Sequence, residues 1–251
     1  MKIVVLGDIH GRLIWNDIIE KENPDKVIFL GDYVSTHEGI ASEQQLSNLE
    51  DILNYKAQNQ DKVVLLRGNH DLDHLGYYWA ECSGHNREVT TYMSSPEVRD
   101  RFLKLTSWIH IDNNVIFSHA GISSIWLNSV EQFISSKQGS QYDDNSIDIE
   151  VLLGLINDIE PCELFGFTPD NPFDCYGDSE TQPLTWIRPG TLCSCNIKGY
   201  DQVVGHTTTS KIVNMKAATL GNQNIWLCDS LGYKNYLVIE DGNFIPKVLQ
   251  A

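Results

Sequence analysis

One grammar, used three times in the first seventy residues, constrains the fold more than any other feature of the chain. A short apolar run passes into a loop of Gly, Asp, Asn and His, and a helical stretch follows. Residues 3–6 lead into Gly7-Asp8-Ile9-His10-Gly11, residues 27–30 into Gly31-Asp32-Tyr33, and residues 63–66 into Arg67-Gly68-Asn69-His70-Asp71. Unbroken apolar runs of four mark strands buried on both faces. The stretches between them, 13–22 and 43–58, have the length of crossover helices. The second carries helical apolar spacing at Leu46, Leu49, Ile52 and Leu53. A βαβαβ start of this kind gathers ligands beyond the carboxyl ends of its strands.

Residues 72–105 read as a helical region. Residues 108–111 and 115–118 flank Asp112-Asn113-Asn114, a hairpin signal that starts a second, partly antiparallel sheet, with His119-Ala120-Gly121 at its end. Residues 122–159 read as two helices split by the polar stretch 139–146. Segment 161–183 holds four prolines and five acidic residues with no basic one, and reads as a long loop. An ordinary solvated loop is the first reading of it, a lid or partner surface the second. Short strands return at 202–204, 211–215 and 225–228, then a hairpin of 236–240 and 244–249 around Asp241-Gly242-Asn243. At 251 residues with no internal repeat, a single domain over 1–251 with one core is expected.

A formal charge of −16 repels phosphate backbones, so bulk nucleic acid is disfavoured as a partner; part of the acidic excess is free to hold cations. Six scattered cysteines do not make a disulfide framework, and the one close pair, Cys193-Ser-Cys195, has the wrong spacing for a redox turn or a zinc knuckle. The first residues run straight into a strand without a targeting pattern, and no apolar run approaches the ~20 residues that span a bilayer. The expectation is a cytoplasmic protein without membrane partners.

The loops carry the chemistry. A lone Gly-Asp after a strand is usually a turn, and a lone histidine usually a structural residue. Here four of eight histidines, His10, His70, His119 and His206, follow apolar strand-like runs in loops of the same kind. Carboxylate and amide oxygens mixed with imidazole nitrogens suit borderline divalent ions such as Mn, Fe or Zn better than Ca or Mg. Asp8, His10, Asp32, Asn69, His119 and His206 exceed what one four-coordinate ion uses, so two ions sharing a ligand is the economical reading.

Taken in order, Gly7-Asp8-Ile9-His10-Gly11, Gly31-Asp32-Tyr33-Val34, Arg67-Gly68-Asn69-His70-Asp71, Ser118-His119-Ala120-Gly121 and Gly205-His206-Thr207 resemble the signature of the calcineurin-like metallophosphoesterases. They are most similar to the branch that holds the serine/threonine phosphoprotein phosphatases and the bacterial symmetrical diadenosine tetraphosphate hydrolases. The resemblance implies a four-layer α/β/β/α sandwich of two mixed sheets, with a dimetal site at the carboxyl ends of the strands. It implies that Asp8 and His10 bind one cation, that Asp32 bridges both, and that Asn69, His119 and His206 hold the second. His70 would be the general acid that protonates the leaving group. The implied reaction is hydrolysis of a phosphate monoester by water activated between two divalent cations. A dinucleoside polyphosphate hydrolase or a phosphodiesterase or nuclease is the alternative. A non-catalytic scaffold is disfavoured because all six ligand positions hold competent side chains.

Two departures bear on substrate. The phosphoprotein phosphatases continue their second motif with an Asp-Arg pair, where this chain has Ser35 and Thr36. Ser35 can accept a hydrogen bond from His70 but cannot stabilise an imidazolium as a carboxylate does. Thr36 cannot replace a bidentate phosphate contact. Arg188, in Thr185-Trp186-Ile187-Arg188-Pro189, resembles a phosphate-contacting arginine of the bacterial members, and with Arg12 it joins His70 and Asp32 in the expected catalytic set. Arg87 and His37 complete the candidate substrate contacts, with His74 a further candidate to line the cleft. Asp71 is expected either to orient a ligand or His70, or to cap a helix from an exposed position. The expected substrate is a phosphorylated small molecule, a nucleotide or a phosphoprotein.

Overall fold

A computed structural model describes residues 1–138, 148–168, 177–218 and 221–250. The first half runs β1 (Lys2–Leu6), α1 (Trp15–Glu22), β2 (Lys26–Phe29), α2 (Ser42–Gln58), β3 (Val63–Leu65), α3 (Asn69–His74), α4 (Arg87–Met93) and α5 (Pro96–Leu105). The second half runs β4 (Ile109–Asp112), β5 (Val115–Ser118), α6 (Ser124–Gln138), α7 (Ile149–Ile156), α8 (Pro189–Ser194), β6 (Asp201–Val204), β7 (Val213–Lys216), β8 (Asn224–Leu227), β9 (Asn235–Glu240) and β10 (Asn243–Val248). The expected polar stretch 139–146 and part of the acidic loop, 169–176, lie outside the described residues.

The strands form two five-stranded mixed sheets, ordered β10-β9-β1-β2-β3 and β4-β5-β6-β8-β7. Strands β1, β2 and β3 are parallel, as are β5, β6 and β8, and the antiparallel strands lie outside these triplets. Six chain segments therefore leave the two sheets at carboxyl ends, and the functional loops occupy those ends.

Side-chain alternation along each strand explains the layering. Ile3 and Val5 of β1, Ile28 of β2 and Leu237 and Ile239 of β9 pack with Phe117 of β5 and Val203 of β6 in the core between the sheets. The alternate residues Val4, Leu6, Val27 and Phe29 face the other way and join Trp15 and Ile18 of α1 and Leu49, Ile52 and Leu53 of α2. On the far side, Val204, Ile225 and Leu227 meet Leu192 of α8, while Trp126 and Val130 of α6 cover Ile116. The result is the helix–sheet–sheet–helix sandwich that the motifs implied. Each fully buried aliphatic side chain in it contributes about 1.5–3 kcal/mol of burial free energy.

The region read as helical over 72–105 is interrupted. Gly76, at a φ of +84°, follows the end of α3; Asn86 caps α4 by accepting from the N–H groups of Glu88 and Val89; and Pro96 opens α5. The irregular stretch 75–86 becomes one wall of the site. Among the described residues, no helix is long and apolar enough to cross a membrane. Cys82, Cys162, Cys193, Cys195 and Cys228 are free thiols.

Candidate metal centre

The loops after β1 and β2 are laced together by backbone hydrogen bonds: the N–H groups of Ile9 and His10 both donate to the Asp32 carbonyl, at 3.0 and 2.7 Å, and Gly11 donates to Tyr33. Asp71 fixes the next loop. Its buried carboxylate accepts from the N–H groups of Asp32 (2.9 Å), Tyr33 (2.9 Å) and Gly68 (2.8 Å), tying the loops after β2 and β3 into one unit. Asp71 thus caps α3 through the Gly68 N–H, but from a buried position, and it also positions Asp32 through the backbone. His10, Asp32, Ser35 and His206 all adopt left-handed backbone, with φ of +47°, +51°, +65° and +60°. For non-glycine residues this conformation is strained, and it persists here because the surrounding hydrogen bonds over-determine it.

The approaches are close enough to dictate glycine at two places. A Cβ on Gly68 would lie 2.1 Å from Asp32 Oδ1, and one on Gly205 would lie 2.2 Å from Asp8 Oδ1. Both carboxylates rest against bare backbone, and each also accepts an N–H: His70 donates to Asp32 Oδ1 at 3.0 Å, and His206 donates to Asp8 Oδ1 at 3.0 Å.

All six expected ligands converge. Donor atoms of Asp8, Asp32 and His119 lie within 4.8 Å of one another. His119 Nε2 stands 3.5 Å from Asp32 Oδ2 and 2.9 Å from Asn69 Oδ1, which is also 3.1 Å from His206 Nδ1. His10 Nε2 stands 3.9 Å from Asp8 Oδ2.

Each imidazole has its other nitrogen committed. His119 Nδ1 donates to the Leu30 carbonyl (2.8 Å), His10 Nδ1 to the Val34 carbonyl (3.1 Å) and His206 Nε2 to the Trp186 carbonyl (3.1 Å). A carbonyl only accepts, so these nitrogens carry protons, and the opposite nitrogen of each ring faces inward. Burial pushes His206 well below its ordinary range and keeps it neutral. Asn69 is turned the same way: its Nδ2 donates to Cys82 Sγ at 3.2 Å, leaving Oδ1 facing the two imidazoles.

The centre is therefore a ring of carboxylate and amide oxygens and imidazole nitrogens facing one another, an arrangement that divalent cations would stabilise. Burial first, then Asp229 and Asp32 nearby, push the Asp8 carboxyl well above its usual range. The donor set fits divalent cations bound through oxygen and nitrogen.

The centre floors a cleft of about 330 Å³ lined by Arg12, Ser35, Thr36, His37, Glu38, His70, Cys82, Ser83, Trp186, Arg188, Thr208 and Asp229 as well as ligands. His70 Nδ1 lies 3.0 Å from Ser35 Oγ, whose own proton goes to the Gly84 carbonyl at 3.2 Å. Nδ1–H therefore donates to Ser35, and Nε2 is left as the exchangeable position. Arg12 donates to the Asp8 carbonyl at 3.0 Å and pairs with Glu38 at 2.7 Å; Arg188 donates to Thr207 Oγ1 at 3.1 Å and to the His206 carbonyl at 3.3 Å. His37 is exposed at the rim. Arg87 opens α4, exposed and outside the cleft lining, and His74 is buried behind the wall.

Sequence reasoning passed over Asp229 and Cys82. Asp229 follows β8, buried, accepting from Thr208 Oγ1 at 2.5 Å. The signal was present: residues 225–228 form an apolar run into Cys228-Asp229-Ser230, the same grammar as the other loops. Cys82 has no such signal, because its contact with Asn69 spans an irregular segment.

Residues 1–208 match the family model for calcineurin-like phosphoesterases. A symmetrical bis(5'-nucleosyl)-tetraphosphatase of Nitrosospira multiformis is 28% identical over 142 residues, which are 53% of this chain and 47% of that protein, so the match spans about half of each. Among solved structures, the cold-active protein-tyrosine phosphatase of a psychrophilic Shewanella species superposes with a TM-score of 0.58 at 19% identity, covering 98% of this chain and 77% of the other. A protein serine/threonine phosphatase from Saccharomyces cerevisiae gives 0.58 at 15% identity, covering 100% and 80%. These structural likenesses concern the fold. With the family model covering residues 1–208 and the predicted ligands gathered at one sheet edge, the chain belongs to the calcineurin-like phosphoesterases, a family that works with two divalent metal ions.

Proposed function

We propose that the protein hydrolyses phosphate monoesters. The observation that carries this is the convergence of Asp8, His10, Asp32, Asn69, His119 and His206, with the second nitrogen of each imidazole held by a backbone carbonyl and the first turned inward. Asp8, His10 and Asp32 hold one cation, and Asp32, Asn69, His119 and His206 the other. Bound there, the pair supplies an activated water and neutralises charge on the phosphoryl group. Arg188 and Arg12 orient the phosphoryl oxygens from the cleft walls, and His37 stands at the entrance. His70 presents Nε2 for proton transfer to the leaving oxygen. Manganese, iron or zinc suits the mixed donor set.

A cleft of about 330 Å³ accommodates a phosphoryl group with a small leaving group, and a larger substrate would extend past the exposed Glu38. The relative named as a symmetrical bis(5'-nucleosyl)-tetraphosphatase favours a second reading, hydrolysis of a dinucleoside polyphosphate. Manganese-dependent turnover of an aryl phosphate, a bis-aryl phosphate and diadenosine tetraphosphate separates the readings. Monoester turnover alone supports the first; dominant turnover of the tetraphosphate replaces it with the second; diester turnover points to a phosphodiesterase.

Arg188→Ala is expected to lower kcat/KM for the aryl phosphate roughly 10–100-fold, the worth of one charge-assisted hydrogen bond to phosphate. Most of the loss should fall on KM. Steady-state kinetics at saturating manganese reads it, and an unchanged kcat/KM would remove Arg188 from the substrate contacts.

A further inference from the structure

Behind the cleft wall, a second group of ligand-bearing side chains meets. Asp73 and His74 close α3, both buried, and His85 comes from the irregular segment before α4. One donor atom from each lies within 4.8 Å of one from each of the others. His85 Nδ1 is 3.0 Å from Asp73 Oδ2, close to the spacing of neighbouring ligands on one ion with metal–ligand bonds of about 2.1 Å. The rings of His74 and His85 stack at 5.3 Å.

His74 supplies the second observation. Its Nδ1 is 2.8 Å from Thr90 Oγ1, which also lies 3.0 Å from the Asn86 carbonyl and 3.2 Å from His85 Nε2. With the Thr90 proton on the Asn86 carbonyl, Nδ1 donates and Nε2 carries a lone pair. That atom is sealed from solvent with no hydrogen-bond partner among the described residues. Nearly all buried polar side-chain atoms are paired, so an orphaned nitrogen on an imidazole that is grouped with a carboxylate and a second imidazole asks for a cation. Protonating it does not help: an Nε2–H would be as unpartnered as the lone pair, and burial pushes the ring down to about 4.

We propose that Asp73, His74 and His85 form a third divalent-cation site, separate from the paired centre, that accepts zinc or a similar borderline ion through one carboxylate and two imidazoles. Its place suggests its use. The segment that carries His85 also carries Cys82, which accepts from Asn69, and Gly84, whose carbonyl holds Ser35 and through it His70. An ion joining α3 to His85 clamps that segment and fixes the orientation of Asn69 and His70 without touching substrate. Asp73, His74 and His85 are positioning residues in this scheme.

The test compares zinc content in the metal-stripped full-length chain after dialysis against a zinc buffer. His85 is the residue to vary, because its side chain is 45% exposed and its loss leaves the core intact. His85→Ala should hold one zinc fewer per chain than wild type at an unchanged circular dichroism spectrum, and His85→Cys, which can ligate, should regain it. The comparison stands apart from the paired centre: were that centre never filled, His85→Ala would still fall by one equivalent. Equal zinc content in wild type and His85→Ala would overturn the site and leave Asp73 and His85 as a plain ion pair.

Discussion

Asp32→Asn should abolish turnover, with kcat/KM falling by roughly 10³-fold or more, about 4 kcal/mol of lost transition-state stabilisation. The substitution is isosteric, so packing cannot account for the loss. Asp32 Oδ1 already accepts the His70 N–H at 3.0 Å, and Oδ2 stands 3.5 Å from His119 Nε2. An amide keeps the first contact only by turning its N–H₂ toward the centre, where its donors face the cation positions and it brings no charge. Two cations then have no shared anion between them. The stability readout should agree: the manganese-induced rise in Tm, which follows the binding of cations to the native state alone, should shrink or vanish in the variant. Retention of two manganese ions with wild-type turnover would remove Asp32 from the centre.

The legible parts of this protein are those where one local rule decides. Strands β1, β2 and β3 announce themselves because a run buried on both faces must be apolar throughout, and α2 because Leu49, Ile52 and Leu53 share a face. The convergence of the candidate ligands was readable because each sits within a few residues of a strand end, so chain order alone delivers them to one edge. What escaped depends on contacts across the fold. Asp71 looks like a helix-start residue in sequence, and only the return of two loops toward it makes it the acceptor for three backbone amides. The break at 75–86 is bounded by Gly76 and the Asn86 cap, and Pro96 makes a second one, where the sequence alone reads as one helical region. Asp73 and His85 are twelve residues apart with nothing in their spacing to join them. The hydrogen bond from His70 to Ser35 was anticipated from the missing Asp-Arg pair, because a serine at that place has only its hydroxyl to offer.

The same hydrogen bond sets the terms for His70→Asn. With Nδ1 held by Ser35 and Ser35 held by Gly84, the ring presents one exchangeable nitrogen, Nε2, and a proton there is useful in proportion to how badly the leaving group needs it. An alkyl phosphate expels a strongly basic alkoxide and should lose roughly 10²–10⁴-fold in kcat, the usual worth of a positioned general acid. A nitrophenyl phosphate expels a stable anion and should lose about 10-fold or less by the same reasoning. Manganese content should stay at the wild-type level, since the side chain of His70 is not among the six ligands. Ser35→Ala should shift rates in the same pattern but weakly, roughly 10-fold for the alkyl ester, because the ring keeps its nitrogen and loses only its orientation. The ratio of alkyl to aryl losses is the diagnostic quantity. Should His70→Asn slow both esters equally, the imidazole acts on the phosphoryl group or the cations rather than on the departing oxygen, and the proton must come from another residue of the cleft.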